Sequence, residues 1–184
     1  MRYFNNSDLR YQKLMIQNSG IPCERIFDEA CLKENSIPDS FDVFLSYSKK
    51  DMDAVVPIIK FIESFGVKVY IDPNGRDYPD ENSAGLFDIK EQQIKKCRKF
   101  IALVTKESQS VSRWIPWELA FAEKVKSLEN IAMITKSVSF SIPDWPDNEY
   151  FGFYPKIYFR DFEWMVCDRL REKHILFDKW LRNN

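Results

Sequence analysis

Apolar and polar positions along the chain fall into two repeating patterns. Short, nearly continuous apolar runs occur at 41–47 (FDVFLSY), 67–72 (VKVYID), 100–105 (FIALVT), 131–135 (IAMIT) and 156–159 (KIYF). Their Val, Ile and aromatic content is that of buried strands. Between them the apolar residues return at helical spacing. Val55, Ile58, Ile59, Ile62 and Phe65 share one face of AVVPIIKFIESFG, and Gly66 ends it. Ile89, Ile94 and Cys97 mark a helix in LFDIKEQQIKKCRKF, and the stretch Glu107 to Lys126 contains another. The last of these opens at SRWIPWELAFA, residues 112–122. Ser112 is a natural N-cap there, and Pro116 is tolerated in a first turn whose N–H groups lack partners anyway. Ser48-Lys49-Lys50-Asp51 forms an S-x-x-D capping pattern after the first strand. Residues 160–183 read as one or two closing helices, with Phe162, Val166 and Leu170 on one face.

Strand–helix–strand units of about 30 residues are parallel and right-handed. The pattern therefore predicts an α/β fold: an open, mainly parallel five-stranded sheet with helices on both faces and residues 41–47 at its centre. Residues 1–39 read as an N-terminal helical extension, with Ile26, Ala30 and Cys31 on one face of a helix bracketed by Pro22 and Pro38. The main domain is expected at 40–184. Residues 73–85 form a long polar loop, and loops of that length are commonly functional. Residues 137–155 are aromatic, proline-containing and irregular.

Composition narrows the class. A length of 184 residues fits one domain with additions, and 15 Phe, 8 Tyr and 5 Trp supply ample core. A net charge of −1 argues against binding along a phosphate backbone, so no nucleic-acid partner is expected. Cys23, Cys31, Cys97 and Cys167 form no C-x-x-C pair, and His174 is the only histidine. A Cys/His metal site is thus unsupported, and His-assisted Ser or Cys catalysis would rest on one residue. Unpaired thiols, a polar N-terminus and the lack of any long apolar run predict a cytoplasmic protein without a membrane partner.

Trp114 and Glu118 stand four apart, the spacing that puts two side chains on one helix face. Glu118 sits among Trp117, Leu119 and Phe121. A carboxylate in such company is either a structural anchor or a group kept for chemistry, and local sequence leaves both readings open.

Four motifs in order resemble the Toll/interleukin-receptor (TIR) domain family. FDVFLSYSKKD resembles its first strand and acidic helix start. VKVYID resembles its second strand, and residues 73–85 occupy the place of its BB loop. FIALVTKESQSVSRWIPWELAFA resembles its third strand and the serine, Trp and Glu motif that follows. The likeness covers about residues 40–135. RDYPDE in the loop differs from animal adaptor TIR domains, whereas Trp114 with Glu118 resembles the W-x-x-x-E of enzymatic, often bacterial, members of anti-phage defence.

The resemblance implies a flavodoxin-like TIR fold and an NAD glycohydrolase or cyclase, an NAD+ nucleosidase type of hydrolase. It would cleave the nicotinamide–ribose bond to give nicotinamide and an ADP-ribose-type product that serves as a signal nucleotide of antiviral immunity. NAD would be substrate, with no separate cofactor and no metal. Glu118 would be catalytic, and Tyr47, Ser48, Lys50, Asp72 and Trp114 would bind substrate. TIR–TIR contacts imply a homo-oligomer, and a downstream nucleotide-sensing effector is the implied partner. The competing reading is a non-catalytic TIR scaffold that signals by homotypic assembly. A receiver-type domain would need an acidic cluster after the first strand and an Asp ending the third. Here those places hold Ser46-Tyr47-Ser48 and Thr105.

Overall fold

The structure is a computed structural model. It describes residues 1–31, 41–72, 84–105, 114–136, 149–167 and 173–183. Five strands follow the expected order: β1 (Val43–Ser46), β2 (Val69–Tyr70), β3 (Lys99–Leu103), β4 (Ile131–Ile134) and β5 (Lys156–Arg160). All four pairings among them are parallel. Two further strands, β6 (Glu163–Cys167) and β7 (His174–Leu176), extend the sheet antiparallel, giving the order β2-β1-β3-β4-β5-β6-β7. The 2-1-3-4-5 portion is the flavodoxin-like order of doubly wound sheets. β1 lies between β2 and β3, so the middle of the parallel set is β3 rather than β1.

The α-helices among the described residues are α1 (Asn6–Ser19), α2 (Cys23–Ala30), α3 (Met52–Glu63), α4 (Ala84–Lys96), α5 (Trp114–Val125), α6 (Glu149–Gly152) and α7 (Phe177–Arg182). Strand alternation sorts them into two layers. Val43, Leu45, Ile101, Leu103, Ala132 and Ile134 pack beneath α1, α2, α3 and α7. Phe44, Phe100, Ala102, Ile131 and Met133 pack against Ile94 and Cys97 near α4 and against Ile115, Leu119 and Ala122 of α5. The N-terminal helices are welded to this frame. Phe4 is fully buried with its ring 5.0 Å from Phe61 and 5.7 Å from Trp164. Arg2 exchanges backbone bonds with Phe159, and the Ile71 N–H donates to the Ala30 carbonyl.

Two further expectations fail. The segment from 160 opens with a hairpin instead of a helix. Asp161 and Phe162 adopt positive φ (52° and 64°), which forms the tight turn between β5 and β6. Phe162 is consequently 94% exposed rather than on an apolar helix face. Glu163–Cys167 runs from exposed Glu163 to buried Val166 and Cys167, and cross-strand pairing with β5 overrides its helical spacing; Leu170 lies outside the described residues. In α4, Ile89 is 44% exposed. The buried face there runs Lys90, Gln93, Ile94 and Cys97, so the apolar spacing assigned to Ile89 was one residue out of register.

Candidate active site

The carboxyl ends of β1, β2 and β3 meet at the switch point between β1 and β3, where open α/β sheets bind ligands. Alternation along β1 puts Ser46 on the same side as Phe44, facing α4 and α5. Asp72, two residues beyond Tyr70, continues that side past β2.

Glu118 enters from the second turn of α5 and is only 4% exposed. Both of its oxygens are engaged. Ser46 Oγ donates to Oε2 at 2.5 Å, and Lys90 Nζ donates to Oε1 at 2.9 Å. The same Lys90 ammonium lies 2.8 Å from Asp72 Oδ2. Tyr47 OH donates to the Asp72 carbonyl at 3.0 Å, tying β1 to the end of β2. One ammonium thus bridges two carboxylates in a buried site.

Burial pushes the Glu118 carboxyl above its ordinary range; the Lys90 ammonium and the Ser46 hydroxyl oppose that rise, and Asp72 adds to it. Burial alone would lower Lys90, but Glu118 and Asp72 outweigh it and hold the amine firmly protonated. Tyr47 and Tyr70 are pushed up by burial first and by neighbouring acids second, so both phenols stay neutral. Burial likewise raises the Cys31 thiol to about 12, removing it as a nucleophile at neutral pH.

The residues named from sequence divide into two groups. Glu118, Asp72 and Tyr47 converge on this cluster. Ser48 is buried and caps a 3-10 turn (Lys49–Asp51) by accepting from the Lys50 N–H at 3.4 Å, while the Lys50 side chain is exposed. Asp51, read as the partner in that cap, accepts from Thr105 Oγ1 at 2.9 Å and ties the turn to the end of β3. Trp114 opens α5 one turn before Glu118, but its side chain lies outside the described residues. So do residues 73–83 of the long loop, and Ser112.

Lys90 and Ser46 were missed as partners of Glu118. The 90/93/94/97 spacing carried the signal for Lys90, and strand parity from Phe44 carried it for Ser46. Three polar residues from three elements, Ser46, Lys90 and Asp72, therefore surround one helical carboxylate at the ligand-binding edge.

Over 191 residues the chain is 25% identical to a protein of Bacillus cereus (strain MSX-D12) named probable 3' cyclic ADP-D-ribose synthase ThsB'. The alignment takes in 98% of this chain and 95% of ThsB', so the likeness is to a whole protein of the same size. No family model matches the chain. Among the described residues, no helix is long and apolar enough to cross a membrane.

Proposed function

We propose that this protein is a TIR-type NAD glycohydrolase or cyclase, with residues 40–184 as the TIR domain and Glu118 as its catalytic residue. The observation that carries the reading is Glu118 itself: a buried carboxylate, gripped at both oxygens, at the carboxyl edge of a 2-1-3-4-5 sheet. The name of ThsB' supports chemistry on NAD that yields a cyclised ADP-ribose as a signal.

The chemistry suits a single carboxylate. Cleaving a glycosidic bond develops oxocarbenium charge on the ribose, and ordinary glycosidases pair that step with an acid for the leaving oxygen. Nicotinamide leaves from a pyridinium, which takes the bonding electron pair and becomes neutral without a proton. One preorganised anion beside the ribose then suffices to oppose the developing charge. Ser46 and Lys90 fix that anion before substrate arrives. In this reading Tyr47 and Trp114 flank the nicotinamide end, and Ser48, Lys50 and Asp72 border the rest of the NAD. Catalysis takes place in the cytoplasm, in a homo-oligomer, and the product acts on a separate effector.

Glu118→Gln tests the assignment. The change keeps size and removes the charge, so NAD turnover, followed by mass spectrometry of the products, is expected to fall by roughly 100- to 1000-fold. The melting temperature is expected to move little, because Lys90 keeps Asp72 as its partner. Near-normal turnover in a folded mutant ends the assignment, and a collapsed melting temperature makes Glu118 a structural anchor.

A further inference from the structure

Glu118 and Asp72 reach the site from different elements, α5 and the end of β2, and share the Lys90 ammonium. Their side chains are buried together with that of Lys90, at 5%, 11% and 6% exposure. Among the described residues, two carboxylates thus face one ammonium. Water is largely excluded, so these charges are poorly screened. The titratable neighbours are Tyr47 from β1, Tyr70 from β2 and Cys31 at the end of α2, all pushed toward their neutral forms. Lys90 is therefore the one positive group among the described residues bonded to Glu118.

We propose that Lys90 is a positioning residue: by bridging Glu118 and Asp72 it holds the Glu118 carboxylate charged and aimed, and Asp72 sets how much of the ammonium Glu118 receives. The inference rests on the reading of Glu118 as the group that opposes ribose charge, and it adds the device that governs that group's ionisation. Glu118 works only as an anion. Activity is thus lost as pH falls through its ionisation, and anything that weakens its hold on Lys90 moves the loss to higher pH.

The two partners act on Glu118 with opposite sign, which gives the test. Lys90→Gln removes the attracting charge, so the acid limb of kcat/KM is expected to move to higher pH. Activity at pH 6 relative to pH 8.5 should drop about tenfold further than in the wild type. Asp72→Asn removes a repelling charge and the carboxylate that competes for Lys90, so the limb is expected to move to lower pH. Lys90→Arg keeps the charge and should restore most of the wild-type profile. The Glu118 carboxyl carbon is titrated in parallel by 13C NMR in each protein, assigned by difference against Glu118→Gln.

A merely structural lysine would change melting temperature without shifting the two limbs in opposite directions. Coincident Glu118 titrations in the wild type and the Asp72→Asn variant, or a shift of the Asp72→Asn limb to higher pH, overturn the inference even if Lys90→Gln does not fold. Opposite NMR shifts in a wild-type protein that leaves NAD intact would sink the NAD reading, while upholding the control of Glu118 by Lys90.

Discussion

Two lysines are buried at opposite edges of one sheet, and they meet opposite fates. Lys90 sits at the carboxyl edge between Glu118 and Asp72, which hold it more firmly protonated than a lysine in water. Lys99 opens β3 at the amino edge and is 1% exposed. It donates to the Asn130 side-chain oxygen and lies 5.0 Å from the centre of the Trp180 ring, both neutral groups. Burial, with help from Arg98 and Lys126 and against Glu129, lowers Lys99 to about 8. A cavity of about 290 Å³ adjoins it, lined also by Glu129, Ile175 and Asn183. Burial acts against both ammonium groups; an intimate carboxylate decides the outcome. The same residue type is thus an ion-pair hub where the sheet can bind ligands and a costly buried charge where it only closes its core.

The comparison breaks most visibly at Lys90. Lys90→Met removes the cation that Glu118 and Asp72 share, and breaking a buried ion pair costs about 3–5 kcal/mol. Urea unfolding at pH 8 should show that loss. Part of it should return on acidification. With that cation gone, the Glu118 carboxyl binds its proton more tightly folded than unfolded, so stability falls as pH rises through that window and recovers below it. A loss independent of pH would mean that packing, not charge, holds Lys90 in place.

The sequence disclosed the frame far better than the wiring of the site. The apolar runs around Phe44, Phe100 and Ile131 could hardly be anything but buried strands, and the alternation with helices then dictated parallel pairing. Glu118 was visible because a carboxylate among Trp117, Leu119 and Phe121 is anomalous. Lys90 was harder to see. A lysine beside Ile89 in a helix rich in Lys, Gln and Glu reads as solvated surface, and only its spacing from Ile94 and Cys97 hints that it turns inward. The hairpin of β5 and β6 was hidden for a different reason. Phe162, Val166 and Leu170 make a plausible helical face, while Trp164 to Cys167 is an apolar run that also suits a strand, and the choice is made by β5 and β7 on either side, which no local window contains.

Ser46 sharpens the carboxyl-edge half of the contrast. Ser46→Ala removes the hydroxyl that donates to Glu118 Oε2 while leaving Lys90 on Oε1. A hydrogen bond to a charged group contributes roughly 1.5–3 kcal/mol, so a loss of about that size is expected in chemical denaturation. If the loss is negligible, Lys90 alone fixes Glu118.

The smallest effect is expected at Lys99, and it has the reverse sign. Lys99→Met replaces an ammonium that, among the described residues, has no carboxylate at bonding distance with an apolar chain of similar length. At pH 7 the lysine is charged in both folded and unfolded protein, and only the folded state carries the cost of burying that charge. The variant should therefore be more stable than the wild type. The gain is on the order of 1 kcal/mol, since loss of the Trp180 face and the Asn130 bond offsets part of the relief. The difference should then shrink with pH. Between about 8, the folded value, and 10.5, the ordinary lysine value, the unfolded lysine keeps a proton that the folded one has released. The unfolded state binds more protons in that window, so wild-type stability rises relative to the variant as pH increases. Paired thermal unfolding at pH 7, 8.5 and 10 reads the trend directly. A gap that widens with pH would show that Lys99 gains a counter-charge on folding, and the contrast with Lys90 would collapse.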